Sequence, residues 1–440
     1  MAKNTRKDTV LSVRDVEPDL VEAVKKLSNK LGRPLQGVVI VNKEFVNHPD
    51  RYMDKSGFFK EVVCDFNNPD ELQSALRPYE DRLLAVTCRI ENAIQQFRKL
   101  IPFLPYVDTP SETALLWCTE KQLMRDRLKN YSQSLVPGYY YVEETDLGKF
   151  EKTAEQLSYP VIVKPNGLKA SLLVTKCDNK VELMDSLKKI FEVIDDVYAK
   201  ERGTGRPGVL VEDMIQGDMY SIDAYVDAKG DIYCLPLVRV VTAHELGKPG
   251  FYSYRHIVPV DISREEMAKA QSAAKASIKA LNLNSSSAHI ELFHAPDGWK
   301  IIELGPRIGG YRADLYRQAY GVDHFYNDLA VRVGLEPEIP TRPIGHAAGL
   351  NVYAEEEGII ESITGLEAVR ELPSVVYVKA HAKPGDLALF ASSGGKLIVD
   401  GILSNADPKR LEYDVNKVRQ LVNIKVRPQK TSIGQLASMH

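Results

Sequence analysis

The stretch HIELFHAPDGWKIIELGPR, residues 289–307, narrows the fold more than any other part of the chain. Pro296, Asp297 and Gly298 are turn formers between two apolar-rich runs, which predicts a β-hairpin. Folded about Asp297, it sets Glu291 directly across from Glu303, Phe293 opposite Ile301 and His289 opposite Gly305. Opposed like charges repel by up to roughly 1 kcal/mol even in water. Burial beside Phe293 and Ile301 raises that cost. A hard divalent cation between the carboxylates would turn repulsion into binding, and Mg²⁺ prefers oxygen ligands while leaving part of its shell for phosphates. The bland alternative is a solvated acidic face. It leaves unexplained the arginines that follow at once in GPRIGGYR, Arg307 and Arg312.

The rest of the chain reads as layered α/β structure. Residues 1 to about 30 read as polar and helical. GVVIVN (37–42), EVVCDF (61–66) and RLLAVTC (82–88) are short strands alternating with helices such as ENAIQQFRKLI, a pattern of parallel sheet. Pro102, Pro105 and Pro110 mark a boundary. A helix over 119–131 follows, then strand, strand, strand, helix, strand from 139 to 215, with YYYVEE, YPVIVKP, ASLLVTKC and GVLVEDMI as the strands. Residues 219–241 form a hairpin around DAKGD, and 242–259 a polar, Gly-rich loop. Helices are expected over 263–281 and near 311–334, and Pro337, Pro340 and Pro343 mark a second boundary. The expected domains are therefore 1–113, 114–338 and 339–440, with a small α/β lid at about 139–210 and an α+β cap at the end.

Several function classes drop out. A net charge of −3 over 440 residues argues against a general nucleic-acid or anionic-membrane binder. MAKNTRKDTVLSVRDVEPDL has no apolar run of signal-peptide length, and nowhere do about 18 apolar residues follow one another. Five scattered cysteines without a C-x-x-C pair suit neither zinc nor disulfides, so a cytoplasmic protein is expected. GTGRPG (203–208) matches a dinucleotide fingerprint in letters only, because it follows a charged helix and precedes a strand. No Walker loop, H-E-x-x-H or G-x-S-x-G occurs.

Lys164 ends the apolar strand YPVIVKP and is followed by NGLKAS, where Gly167, Lys169, Ser171 and backbone N–H groups could cradle phosphate. An amine snorkelling past the strand end is the competing explanation. In VLVEDMIQGDMYSIDAYVD, the chain around Glu212 and Asp213 could offer backbone groups to a flat base and Asp218 could reach a ribose hydroxyl. Taken alone, that segment reads better as an ordinary strand–turn–strand with exposed acids.

Together these pieces resemble the ATP-grasp superfamily over roughly 115–335: a phosphate lysine in a lid strand, a hinge, then a two-acid hairpin ending in E-x-x-x-R. VKAHAKPGDLALFASSGG (378–395) looks most like the carboxylate–amine and L-amino-acid ligase branch. The resemblance implies ATP and Mg²⁺ (or Mn²⁺), with Lys121 and Lys164 on phosphate, Asn166–Ser171 as the lid loop, and Gly167 and Ser171 among its contacts. It puts Glu212, Asp213 and Ile215 on adenine, Asp218 on ribose, Glu291 and Glu303 on the metal, and Arg307 on the phosphoryl group or tetrahedral intermediate. Gly305 departs from the family, which usually has Asn there. The implied reaction joins a small carboxylate to an amine through an acyl phosphate; a carboxyphosphate-forming enzyme and a non-catalytic ATP-binding module are the alternatives. Arg255, His256 and Arg312 are candidate substrate contacts, with GKPGFYSYRH (247–256) as a second flap and a homodimer as the expected assembly.

Overall fold

A computed structural model describes residues 7–48, 51–168, 171–248 and 251–428. The first layer is a parallel sheet in the order Phe59–Cys64, Gln36–Asn42, Thr9–Val13, Leu83–Thr87. Thr9–Val13 corrects the helical expectation for 1–30, since helix begins only at Pro18 and runs to Leu31. TVLSV is flanked by charge on both sides, which masks a five-residue strand. All five residues are buried because an inner strand of a parallel sheet is covered on both faces.

Helices Glu112–Thr119 and Lys121–Tyr131 lead into an antiparallel sheet ordered Tyr139–Val142, Val209–Asp213, Val161–Pro165, Thr175–Cys177. Val163, Cys177, Leu183, Leu187 and Val211 form its core. Three local expectations fail here. A helix, Leu147–Ala154, lies between the first two strands in chain order. The long helix is two, Lys180–Phe191 and Ile194–Glu201. The strand expected over 170–177 shrinks to Thr175–Cys177 because Ser171 and Leu173 take left-handed backbone (φ 58° each). Lys169 and Ala170 lie outside the described residues.

The central sheet has nine strands and continues through both remaining segments. Its order is Gly298–Gly305, Ser286–Ala295, Asp218–Val226, Val238–Thr242, Ser253–Val258, His346–Val352, Val399–Asn405, Val375–Ala380, with Ile232–Cys234 paired beside Asp218–Val226. Ser253–Val258 corrects the loop expected over 242–259. Tyr254, His256 and Val258 are its buried set and alternate with half-buried Ser253, Arg255 and Ile257, so a real period of two was hidden by composition. Of the expected flap, Pro249 and Gly250 lie outside the described residues. The helix expected over 311–334 is two, Arg312–Tyr320 and His324–Arg332, separated by a turn at Gly321 (φ 70°).

Helices cover the central sheet on both sides. Arg264–Ala280 and Lys121–Tyr131 pack Ala274, Ile278, Met124 and Leu128 against Ile222, Ile290 and Ile301. On the other side Tyr316 and Leu329 meet Tyr225 and Val238, and Val24 and Leu27 of Pro18–Leu31 join them. That shared cluster ties the first layer to the sheet. The helix Pro408–Leu421 and a small sheet of Leu387–Ala388, Gly358–Thr364 and Asn423–Pro428 complete the chain. Among the described residues, no helix is long and apolar enough to cross a membrane.

Candidate active site

The glutamate hairpin forms, and its register explains the chemistry around it. Glu291 and Glu303 are partners across the strands, as are His289 and Gly305. Past Glu291 the register slips, so Leu292 meets Ile301 and Phe293 meets Lys300, which corrects the expected Phe293–Ile301 pair. One residue, Ile302, is therefore extra on its strand, a β-bulge. Its carbonyl accepts a hydrogen bond from Arg125 Nη2 at 2.7 Å. The bulge both lets a two-residue turn close the hairpin and brings the glutamates level.

Glu303 faces Lys121, whose Nζ is 3.4 Å from Glu303 Oε1 and donates to Leu168 O at 2.6 Å. Glu291 faces His289, with Oε1 3.7 Å from Nε2. Behind it runs a buried chain of polar groups. His289 Nδ1 bonds Asp223 Oδ1 at 2.6 Å. Asp223 Oδ2 accepts from Gly309 N–H at 2.8 Å and meets His324 Nε2 at 2.9 Å, and His324 Nδ1 meets the Tyr225 hydroxyl at 2.7 Å. Burial alone would raise the Asp223 carboxyl. The two imidazoles outweigh it and hold the acid far below the ordinary range. The same competition, burial against Asp223, leaves His289 raised. Glu291 is lowered because His289 and the arginines outweigh its burial.

Lys164 sits in a second buried cluster. Glu212 Oε1 accepts from Arg125 Nε at 2.7 Å, and Glu212 Oε2 lies 2.5 Å from Lys164 Nζ. Burial pushes Glu212 up, but the two cations win and hold it at about 2. Burial dominates at Lys164 and brings it down to about 8. Glu212 thus turns inward to bind cations. Asp213 gives its backbone N–H to Gly138 O at 2.9 Å, and Met214 gives its own to Pro160 O at 3.2 Å. Ile215 lines an open cavity of about 650 Å³ with Val136, Gly138, Asp213, Ala295 and Lys300. Asp218 is half exposed and accepts from Arg239 Nη2 at 2.7 Å.

The lid loop differs from expectation at Gly167. Its N–H donates to the Tyr198 hydroxyl at 2.7 Å and is not available to phosphate. A Cβ there would come within 1.8 Å of Thr204 O, so glycine is required for packing. A second cavity, of about 430 Å³, lies where the first layer, this loop and the last segment meet; Thr119, Gly167, Leu168, Glu303 and Lys396 line it.

Arg307 Nε is bound by Glu91 of the first layer, and Nη1 donates to Ile308 O at 3.0 Å. A side chain at Gly305 would begin 3.4 Å from Glu91 Oε2, so this position lies directly beside that pair. Arg312 and His256 share the sheet face that carries Ser221, Asp223, His289 and Glu291, since His256 pairs with Val240 and Val238 pairs with Ser221. Arg255 alternates to the other face, beside Arg419 and Arg239, so it is separated from the other two substrate candidates.

Among the described residues no group of three or more His, Cys, Asp or Glu forms a metal cage. Two opposed carboxylates are nevertheless what Mg²⁺ commonly takes from a protein when phosphates and waters complete its shell. The donor set of hard oxygens, with Lys121 Nζ 3.4 Å from Glu303, fits that ion.

Comparison with known proteins matches two segments of this chain to known domain families. Residues 157–314 match the ATP-grasp domain family, and residues 351–427 match L-amino acid ligase C-terminal domain 2. The uncharacterized protein y4rH of Sinorhizobium fredii is 23% identical over 252 residues, 57% of this chain and 49% of its own. The D-alanine–D-alanine ligase of Halalkalibacterium halodurans is 29% identical over 208 residues, 44% of this chain and 62% of its own. The chain thus spans about half to three-fifths of these two relatives. The L-amino acid ligase of Bacillus licheniformis superposes with a TM-score of 0.76 at 19% identity, over 96% of this chain and 99% of that one. The fold is therefore ATP-grasp, with an L-amino acid ligase-type domain after it.

Proposed function

We propose that this chain, built on an ATP-grasp domain, is an ATP-dependent ligase that joins a small carboxylate to an amine. The carboxylate attacks the γ-phosphorus of ATP, releasing ADP and forming an acyl phosphate. The amine then attacks the acyl carbon, phosphate leaves, and a proton departs from nitrogen. The observation that carries this reading is the opposed pair Glu291 and Glu303 with Lys121 3.4 Å from one of them.

In this reading Glu291 and Glu303 hold Mg²⁺, which when bound neutralises charge on the phosphate oxygens. Lys121 and Lys164 hold phosphate oxygens from the other side. Ile215 and the backbone near Asp213 seat the adenine, Asp218 the ribose, and Ser171 with its loop covers the phosphates. Arg307, steadied by Glu91, faces the charge that develops on the reacting carboxyl. Asp223 and His324 fix the His289 ring, and His289 in turn fixes Glu291. Residues 139–210 act as a lid that keeps water from the acyl phosphate, with 1–113 below it and 339–440 as the cap.

Phosphate release from Mg·ATP with a pooled mixture of amino acids tests this. Release that requires the amino acids and disappears in Glu303→Gln supports the ligase. ATP bound tightly with no release under any mixture would favour a module that binds without turnover.

A further inference from the structure

Helix Lys121–Tyr131 sends two cations off one face, since Lys121 and Arg125 stand one turn apart. Lys121 reaches Glu303, with Nζ 3.4 Å from Oε1. Arg125, fully buried, reaches two other places at once. Its Nε donates to Glu212 Oε1 at 2.7 Å and its Nη2 to Ile302 O at 2.7 Å. Glu212 passes the first contact on, because its Oε2 lies 2.5 Å from Lys164 Nζ. Ile302 is the extra residue of the bulge, and Glu303 follows it directly in the chain.

These contacts join two separate sheets. Lys164 and Glu212 lie on neighbouring strands of the antiparallel sheet that contains Val161–Pro165 and Val209–Asp213, whereas Ile302 and Glu303 lie in the central sheet. The helix is also tied to the chain just past Lys164. Lys121 N–H donates to Asn166 O at 3.3 Å, and Gln122 N–H to Asn166 Oδ1 at 2.8 Å. A bulged residue is left out of the strand ladder, so its carbonyl takes a donor from elsewhere, and Arg125 supplies it. A planar guanidinium carries its donors in a rigid fork and therefore fixes the spacing of the acceptors it holds. An ammonium on a flexible stem does not.

We propose that Arg125 is a positioning residue for phosphoryl transfer, holding Lys164 through Glu212 and Glu303 through the bulge at Ile302, so that the phosphate lysine and the metal ligand keep one separation. This rests on the ligase reading and adds the residue that joins its two charge-neutralising groups. An ion pair that served stability alone would account for the arm on Glu212. It would not account for the second arm, on the residue next to Glu303.

The test is phosphate release from Mg·ATP with pooled amino acids. Arg125→Met would strip Glu212 of its partner and put the fold at risk. The variants are therefore Arg125→Lys, which keeps a cation for Glu212 but loses the fork, and Arg125→Gln alongside it, each checked by thermal melt to be folded at the assay temperature. Misplacing reacting groups by about 1 Å costs on the order of 100-fold, so kcat should fall at least about tenfold in the folded variant. The Mg²⁺ concentration for half-maximal rate should rise at least about threefold, while KM for the amino acids stays within about twofold. A folded variant whose kcat or Mg²⁺ requirement stays within about twofold of the wild type overturns the proposal and leaves Arg125 a stabilising ion pair. Absence of release from the wild type sinks the ligase reading instead. Positioning is then read by isothermal titration of ATP with and without Mg²⁺. Mg²⁺ should tighten ATP binding in the wild type and no longer do so in Arg125→Lys. Tightening kept in full by the variant, or absent from the wild type, overturns the proposal.

Discussion

Glu212→Gln should be the most damaging single-atom change in the buried Arg125–Glu212–Lys164 cluster. The carboxylate is 3% exposed and lies between two buried cations, at 2.7 Å from Arg125 Nε and 2.5 Å from Lys164 Nζ. Its fall from an ordinary 4.5 to about 2, despite burial that pushes the other way, corresponds to about 3 kcal/mol at about 1.4 kcal/mol per pH unit. Removing the charge also leaves Arg125 and Lys164 facing each other unpaired, and breaking such pairs costs roughly 3–5 kcal/mol. Lys164→Met should cost clearly less, because burial already disfavours that ammonium and the Arg125–Glu212 pair survives. Urea unfolding followed by the fluorescence of Trp117 and Trp299 measures both, with the double variant closing the cycle. A loss under about 1 kcal/mol for Glu212→Gln, or an equal loss for Lys164→Met, would refute this account of the cluster. The sign with pH follows as well. A carboxyl lowered on folding stabilises fully above about 4.5, and that contribution fades as pH falls toward about 2.

Other outcomes follow from the same geometry. Glu291→Gln and Glu303→Gln should each lower Mg·ATP turnover at least about 100-fold and abolish the thermal shift that Mg²⁺ adds to ATP; an unchanged Mg²⁺ requirement would remove them from the metal site. Lys164 falls to about 8, so its ammonium is lost as pH rises through 8 and ATP affinity should weaken between pH 7 and 9, a trend Lys164→Met should erase in isothermal titration. Stability should move the opposite way, rising from about pH 8 toward 10.5, because there the unfolded chain holds the proton the folded one has released. Glu91→Gln should cost under about 1 kcal/mol of stability, since the pair is partly exposed. It should nevertheless lower kcat by roughly tenfold or more if Glu91 steadies Arg307, which steady-state kinetics reads directly.

How much of this was legible depended on distance along the chain. The Glu291–Glu303 pairing followed from turn residues and alternation, both local. The slip that sets Phe293 opposite Lys300 comes from one extra residue, Ile302, and no residue type near it announces a bulge. Thr9–Val13 and Ser253–Val258 were hidden for opposite reasons: the first by flanking charge, the second by polar residues on its half-buried face. The supporting shell was the least visible. Arg125 lies one helical turn beyond Lys121, so a helix-face argument could have found it. Its partner Glu212 is 87 positions away, Asp223 and His289 are 66 apart, and Glu91 and Arg307 are 216 apart. Only folding brings these together, and no local pattern carries that information. Arg255 beside His256 shows the converse, since neighbours in sequence were sent to opposite faces by a strand that composition concealed.

The most direct test of the central claim follows an oxygen atom. If a carboxylate is activated by transfer of the γ-phosphoryl group, amino acids labelled with ¹⁸O in the carboxyl should hand one labelled oxygen to the phosphate released from Mg·ATP. The account predicts labelled phosphate in step with amide formation, and none from Glu303→Gln. Phosphate that carries no label while amide product accumulates would contradict it.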